Sequence, residues 1–156
     1  MFSPTPPHGR DPRLLAESIG RGDAPGPGVL LAEDEGVLRH LLTQRLRRAG
    51  LTVWPAEDGL RAVELFRREG KAVTVALLDV HMPGLDGAQV LSALREVDPA
   101  LPCCFMTAGA GPYTREDLLR RGAAEVLQKP FSLSEAIRLL RQLSAPSAGG
   151  AVSEAG

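Results

Sequence analysis

The chain reads as one α/β domain built on a five-stranded parallel sheet with helices on both faces. Three observations predict this. Five short apolar runs alternate with five segments of helical periodicity over short joins, the pattern of parallel strands linked by crossover helices. The most apolar runs lack the alternation of a half-exposed strand, as expected of strands covered on both sides. Charged residues stand where three runs end: Glu33-Asp34-Glu35 after the first, Asp79 closing the third, and Lys129 after the fifth. The carboxyl ends of parallel strands are where open α/β sheets build their sites.

Taken in order, Val29-Leu30-Leu31-Ala32 is the first strand. Val37, Leu38, Leu41, Leu42, Leu46 and Ala49 then recur at helical spacing, with Gly50 as a stop signal. Thr52 to Ala56 is the second strand. A second helix runs from Gly59 to Glu69, with Ala62, Val63 and Phe66 inward and Gly70 closing it. The third strand, Val73 to Asp79, is the most apolar. Gly87 to Val97 follows as a helix through Val90, Leu91, Leu94 and Val97, and Pro99 and Pro102 bracket the loop into the fourth strand, Cys103 to Thr107. Thr114 starts the fourth helix and Ser132 the fifth, each with an acid three residues on, Asp117 and Glu135, as in a capping box. The fifth strand, Glu125 to Gln128, lies between them. The fifth helix is expected to bury Leu133, Ile137, Leu140 and Leu143.

Length and composition set the frame. At 156 residues the chain suffices for one domain with a proper core plus tails. Residues 1–28 carry six prolines and five glycines, a composition unable to bury enough apolar surface to hold itself folded. Within them Asp11, Pro12 and Gly20 frame a short helix presenting Leu14, Leu15 and Ile19. The domain is expected over 29–143, and the Ser/Ala/Gly-rich stretch 144–156 reads as a disordered tail.

A net charge of −1 with dispersed basic residues lacks the basic footprint of an autonomous nucleic-acid binder. No apolar stretch approaches the ~18 residues that span a bilayer. The N-terminus lacks the pattern of a secretory signal, so a cytoplasmic location is expected. The only cysteines, Cys103 and Cys104, are adjacent in a strand and point to opposite faces, which argues against a disulfide or a ligand pair.

Each candidate site residue has an ordinary explanation when taken alone. Asp34 or Glu35 could cap the first helix, Lys129 could be a surface lysine, and Thr107 could fill a strand end. Together, carboxylates and an ammonium converging on one sheet edge point to a metal and a phosphoryl group.

The motifs Leu30-Leu31-Ala32-Glu33-Asp34-Glu35, Leu77-Leu78-Asp79-Val80-His81-Met82-Pro83-Gly84-Leu85-Asp86-Gly87, Met106-Thr107-Ala108 and Gln128-Lys129-Pro130-Phe131 resemble those of response-regulator receiver domains, the phospho-acceptor half of two-component signalling. The resemblance covers Val29 to Leu143. It implies a doubly wound sheet of flavodoxin-like (CheY-like) order 2-1-3-4-5 and a signalling domain rather than a conventional enzyme. Asp79 would accept a phosphoryl group from a sensor histidine kinase or phosphotransfer protein. Mg2+, which takes hard oxygen ligands and keeps several waters, would be held by Asp34 and Asp79, by Glu33 through water, and by the backbone carbonyl of His81. Lys129 would bind a phosphoryl oxygen. The Thr107 hydroxyl and Ala108 amide would follow the phosphoryl group as the switch, and Pro130 would hold the Lys129 loop through a cis peptide bond. The fourth helix, fifth strand and fifth helix would form the surface for a downstream protein partner, with Arg115, Arg120, Arg121 and Arg138 at its rim. Since the chain stops soon after Leu143, the expectation is a stand-alone receiver without its own contact to nucleic acid or membrane.

The chain departs from the family pattern at several positions. Val126 stands three residues before Lys129, where many receivers carry an aromatic that swings inward; Tyr113 is the nearby aromatic that could substitute. Glu33 replaces the commoner aspartate. His81 and Gly109 hold the two positions that, in the family, influence hydrolysis of the acyl phosphate. A haloacid-dehalogenase-type phosphohydrolase also uses a strand-end aspartate, but it places a second aspartate where this chain has His81. A dinucleotide-binding protein would not follow its first strand with Glu33-Asp34-Glu35. A degenerate receiver, acting as a phosphorylation-independent interaction module, is the alternative that Val126 favours.

Overall fold

The computed structural model describes residues 26–109 and 111–145. The short helix expected around Asp11 to Gly20, and the tail from residue 146, lie outside the described residues. The strands are β1 (Gly28–Ala32), β2 (Thr52–Ala56), β3 (Val75–Asp79), β4 (Cys103–Thr107) and β5 (Glu125–Gln128). The helices are α1 (Gly36–Arg48), α2 (Gly59–Glu69), α3 (Gly87–Val97), α4 (Arg115–Arg120) and α5 (Leu133–Ser144). All strand pairs are parallel, in the order β2-β1-β3-β4-β5, the doubly wound order expected from the motifs.

Alternation along the strands divides the core into two layers. Leu30, Ala76, Leu78, Cys103 and Phe105 face Phe66 of α2, Val90, Leu91 and Leu94 of α3, and Leu118 of α4. Val29, Leu31, Val75, Leu77, Cys104 and Met106 face Leu42 and Leu46 of α1 and Ala136, Leu139 and Leu140 of α5. Every residue of β1, β3 and β4 is buried, which explains their continuous apolar sequence. β2 lies at the sheet edge and carries an exposed Pro55, where a missing N–H is tolerated.

Several expected details are corrected. β3 begins at Val75, because the Thr74 hydroxyl bonds the Gly28 amide at 3.0 Å and the ladder with β1 starts at Val29 opposite Val75. On α1 the apolar stripe is wider than the covered face, so Val37 is 77% exposed and Leu41 41%. Val97, at the last turn of α3, is 46% exposed. On α5 the inward residues are Ala136, Leu139 and Leu140, while Leu133, Ile137 and Leu143 are only partly covered. A 3-10 turn, Gly70–Ala72, follows α2 directly. Gly50 has φ +95°, the left-handed conformation that ends a helix without steric cost only for glycine.

The cysteines sit on opposite sheet faces, both fully buried. Burial pushes the Cys103 thiol up to about 11 and the Cys104 thiol up to about 12, so neither supplies reactive thiolate at neutral pH. Mass measurement after treatment with an alkylating reagent is expected to show no adduct on the native protein. Both thiols should be modified once denaturant opens the core.

Candidate functional site

The β-strand register aligns the site. Asp79 lies opposite Met106, and Thr107 opposite Gln128, so Asp79, Thr107 and Lys129 leave neighbouring strands at the same edge. Glu33 and Asp34 follow β1, which pairs with β3 on its other side. The sheet order therefore gathers residues 96 positions apart in the chain.

Carboxylate oxygens of Glu33, Asp34 and Asp79 lie within 4.8 Å of one another. Glu33 and Asp79 are buried, and Asp34 is exposed at the mouth. Lys129 Nζ stands 3.2 Å from Glu33 Oε1 and 3.4 Å from Asp79 Oδ1, so one ammonium serves two buried acids. Desolvation pushes the Asp79 carboxyl above its usual range, against the opposing pull of Lys129 and a hydrogen bond from the His81 backbone. Desolvation also raises Glu33, with the Asp79 charge adding to it, although the Glu35 amide and Lys129 pull it down. For Lys129, desolvation is the largest single influence and lowers it, but the attraction of Asp79 and Glu33 together wins and holds the ammonium above its ordinary value. Three acids facing one lysine leave uncompensated negative charge in a partly dehydrated pocket, and hard oxygen donors in this number suit a small divalent cation.

Local structure fixes each part. Glu33 Oε2 accepts from the Glu35 amide at 3.0 Å, which bends the loop into α1. Asp86 caps α3, accepting from the Gln89 amide at 3.0 Å, while Gln89 answers from its side chain; this capping box escaped the sequence reading. A β-carbon at Gly87 would stand 2.7 Å from the Asp79 carbonyl oxygen and 2.8 Å from the Phe105 ring, so α3 can seat against the back of Asp79 only through a glycine. Lys129 precedes a cis peptide to Pro130, and its amide donates to the Thr107 carbonyl at 2.7 Å.

Thr107 is buried, and its hydroxyl oxygen accepts from the Gly109 amide at 3.0 Å, while Ala108 is exposed. His81 is exposed, with its imidazole so near Gly111 that a β-carbon there would collide with it. Val126 is buried in the layer that also holds Leu118, with Tyr113 packed on that layer. The Tyr113 hydroxyl donates to Asp86 Oδ2 at 3.0 Å and its ring lies 4.9 Å from the Arg121 guanidinium. The hydrogen bond to Asp86 raises the phenol above its ordinary value.

Of the four arginines expected at a partner rim, three are engaged within the domain. Arg115 bonds the Val126 carbonyl and Glu125, both at 3.1 Å, Arg120 pairs with Asp117 at 2.6 Å, and Arg121 covers Tyr113. Thr114 and Asp117 form the complete capping box expected of α4. At α5, Ser132 accepts from the Glu135 amide.

Sequence reading missed one residue at the site. Arg39, in the first turn of α1, donates from Nη1 to the Glu33 carbonyl at 2.9 Å and the Asp34 carbonyl at 3.4 Å. No residue-type signal marked it, because its partners are main-chain carbonyls.

A family model for the response regulator receiver domain matches residues 29–141. The chain is 38% identical over 125 residues to the transcriptional regulatory protein TrcR of Mycobacterium tuberculosis, covering 80% of this chain and 48% of TrcR. It spans about half the length of the curated relatives it matches. The receiver domain of the Francisella response regulator 1452 superposes with a TM-score of 0.70 at 28% identity, covering 76% of this chain and 97% of that one. The response regulator protein TrrA of Thermotoga maritima, solved with Mg2+ and BeF, superposes with a TM-score of 0.65 at 28% identity, covering 75% and 98%. Among the described residues, no helix is long and apolar enough to cross a membrane.

Proposed function

The chain belongs to the response regulator receiver domain family, and from that premise we propose that it accepts a phosphoryl group on Asp79 from a histidine kinase or phosphotransfer protein. The observation that carries this reading is the single Lys129 ammonium lying between buried Glu33 and Asp79 with Asp34 beside them. A purely structural ion pair needs one acid, and a third carboxylate adds only repulsion.

In this reading an Asp79 oxygen attacks the phosphorus of a phosphohistidine. A P–O bond forms, the P–N bond breaks, and the imidazole leaves with its electron pair. Asp34 and Asp79 would hold Mg2+ directly, with Glu33 acting through water and His81 offering its carbonyl; the acid cluster and the chemistry of its oxygens fit that ion. When bound, the ion offsets negative charge on the carboxylates and the incoming group. Lys129 turns to a phosphoryl oxygen. The Thr107 oxygen already accepts from Gly109, which leaves its hydrogen to donate to the phosphoryl group alongside the Ala108 amide.

With Val126 in place of a swinging aromatic, the signal passes through backbone. The Lys129 amide ties β5 to the Thr107 carbonyl, and Arg115 ties α4 to the Val126 carbonyl. The α4, β5 and α5 surface is then what a protein partner reads. Relatives named as transcriptional regulators support a signalling output at the level of gene expression.

The test is intact mass after incubation with acetyl phosphate, with and without Mg2+, beside Asp79→Asn. The expected result is a Mg2+-dependent phosphoryl adduct absent from the variant. No adduct in any condition would leave the phosphorylation-independent module as the better reading.

A further inference from the structure

The acidic loop between β1 and α1 is pinned on several sides. The Glu33 amide donates to the Ala56 carbonyl at 3.1 Å, and the Glu33 side chain accepts from the Glu35 amide and from Lys129. None of these bonds engages the carbonyls of Glu33 and Asp34. Arg39 engages both, through the single nitrogen Nη1. It is partly buried and reaches back from the first turn of α1 over the loop that carries two of the three clustered carboxylates.

We propose that Arg39 is a positioning residue for the cation site, holding the Glu33-Asp34 backbone so that both carboxylates converge with Asp79. The inference rests on the reading that this cluster binds Mg2+. Arg39 exerts two influences of opposite sign there. Its charge alone repels a divalent cation, so losing the charge would tighten binding. Its hydrogen bonds order the ligand-bearing loop, so losing them weakens binding. The second influence dominates, because the charge is partly spent on two carbonyl oxygens and no other bond of the loop holds those carbonyls. Outer-shell groups that orient metal ligands typically matter by ~10–100-fold in affinity.

The experiment uses the full chain as wild type, Arg39→Ala and Arg39→Lys, with calorimetric Mg2+ titration at fixed ionic strength and amide hydrogen exchange in metal-free buffer. Arg39→Ala should bind Mg2+ about tenfold more weakly, the lower end for a lost outer-shell partner. Its Glu35 amide should exchange faster, while that of Leu77 in β3 is unchanged. Arg39→Lys should stay within roughly threefold of wild type, because one terminal cationic nitrogen suffices where the planar fork is not used bidentately. Equal or tighter Mg2+ binding by Arg39→Ala, or an unchanged Glu35 amide, overturns the proposal. Should the wild type bind no Mg2+, the reading of the site fails, and the Glu35 amide still decides whether Arg39 holds the loop.

Discussion

Lys129→Met is expected to cost the metal-free fold about 3 kcal/mol at pH 7, the low end of what removing one partner from a buried ion pair costs. The low end applies because the Lys129 side chain keeps 24% of its exposure, whereas Glu33 keeps 1% and Asp79 7%. Methionine preserves the length of the stem and removes the charge, so the two acids face each other with no ammonium between them. The sign of the pH dependence follows from the carboxyls. Both are already raised in the folded state, and the substitution raises them further. An acid with a raised folded pKa favours folding fully below its unfolded pKa of about 4 and loses that contribution as pH rises through the folded value. The deficit of the variant relative to wild type should therefore be largest at pH 7 and shrink towards pH 4. Urea unfolding in the presence of a chelator, at several pH values, measures it. A deficit that is absent or independent of pH would mean that the Lys129 charge does not set the stability of the cluster.

Asp79→Asn should do the opposite, stabilising the metal-free fold by about 1–3 kcal/mol, the scale of an incompletely compensated buried polar group. The amide removes one of the competing negative charges and leaves Lys129 paired with Glu33. Mg2+ should then separate the proteins further. Saturating the wild type at a hundred times its dissociation constant adds about 2.7 kcal/mol of stability, and the variant, lacking a direct ligand, gains little. Thermal melts with chelator and with Mg2+ should thus cross over, the variant melting higher without the ion and the wild type catching up or overtaking with it. A variant less stable than wild type under chelation would sink the view that repulsion dominates the empty cluster.

Much of this was legible because the strongest signals in the chain are local. β1, β3 and β4 are buried on both faces, and Gly59, Gly87 and Thr114 mark helix starts within one residue. The acids and Lys129 were legible because strand ends carry them. What was illegible depended on packing. Periodicity could not say that Val37 and Leu41 on α1 would remain exposed, since it shows that a face is apolar but not how much of it the sheet covers. Nor could it foresee Arg39, whose partners are main-chain carbonyls and leave no trace in residue type. The tie from Arg115 to the Val126 carbonyl belongs to the same class, because a surface arginine and a helix-to-strand tie look alike until the geometry is known.

The brevity of α4 has an energetic consequence. Six residues with one buried side chain, Leu118, form a helix far below the ~12–15 residues at which a helix begins to hold itself in water. Its persistence depends on a capping box, the Arg115 bonds to β5 and the packing of Leu118. Local unfolding of such a segment costs much less than global unfolding. In the proposed phosphorylation, a few hydrogen bonds drawn towards the phosphoryl group would thus be comparable to the cost of remodelling α4, whereas the sheet beneath it would not yield. The domain combines a rigid floor, which preserves the acid geometry, with one cheaply rearranged wall.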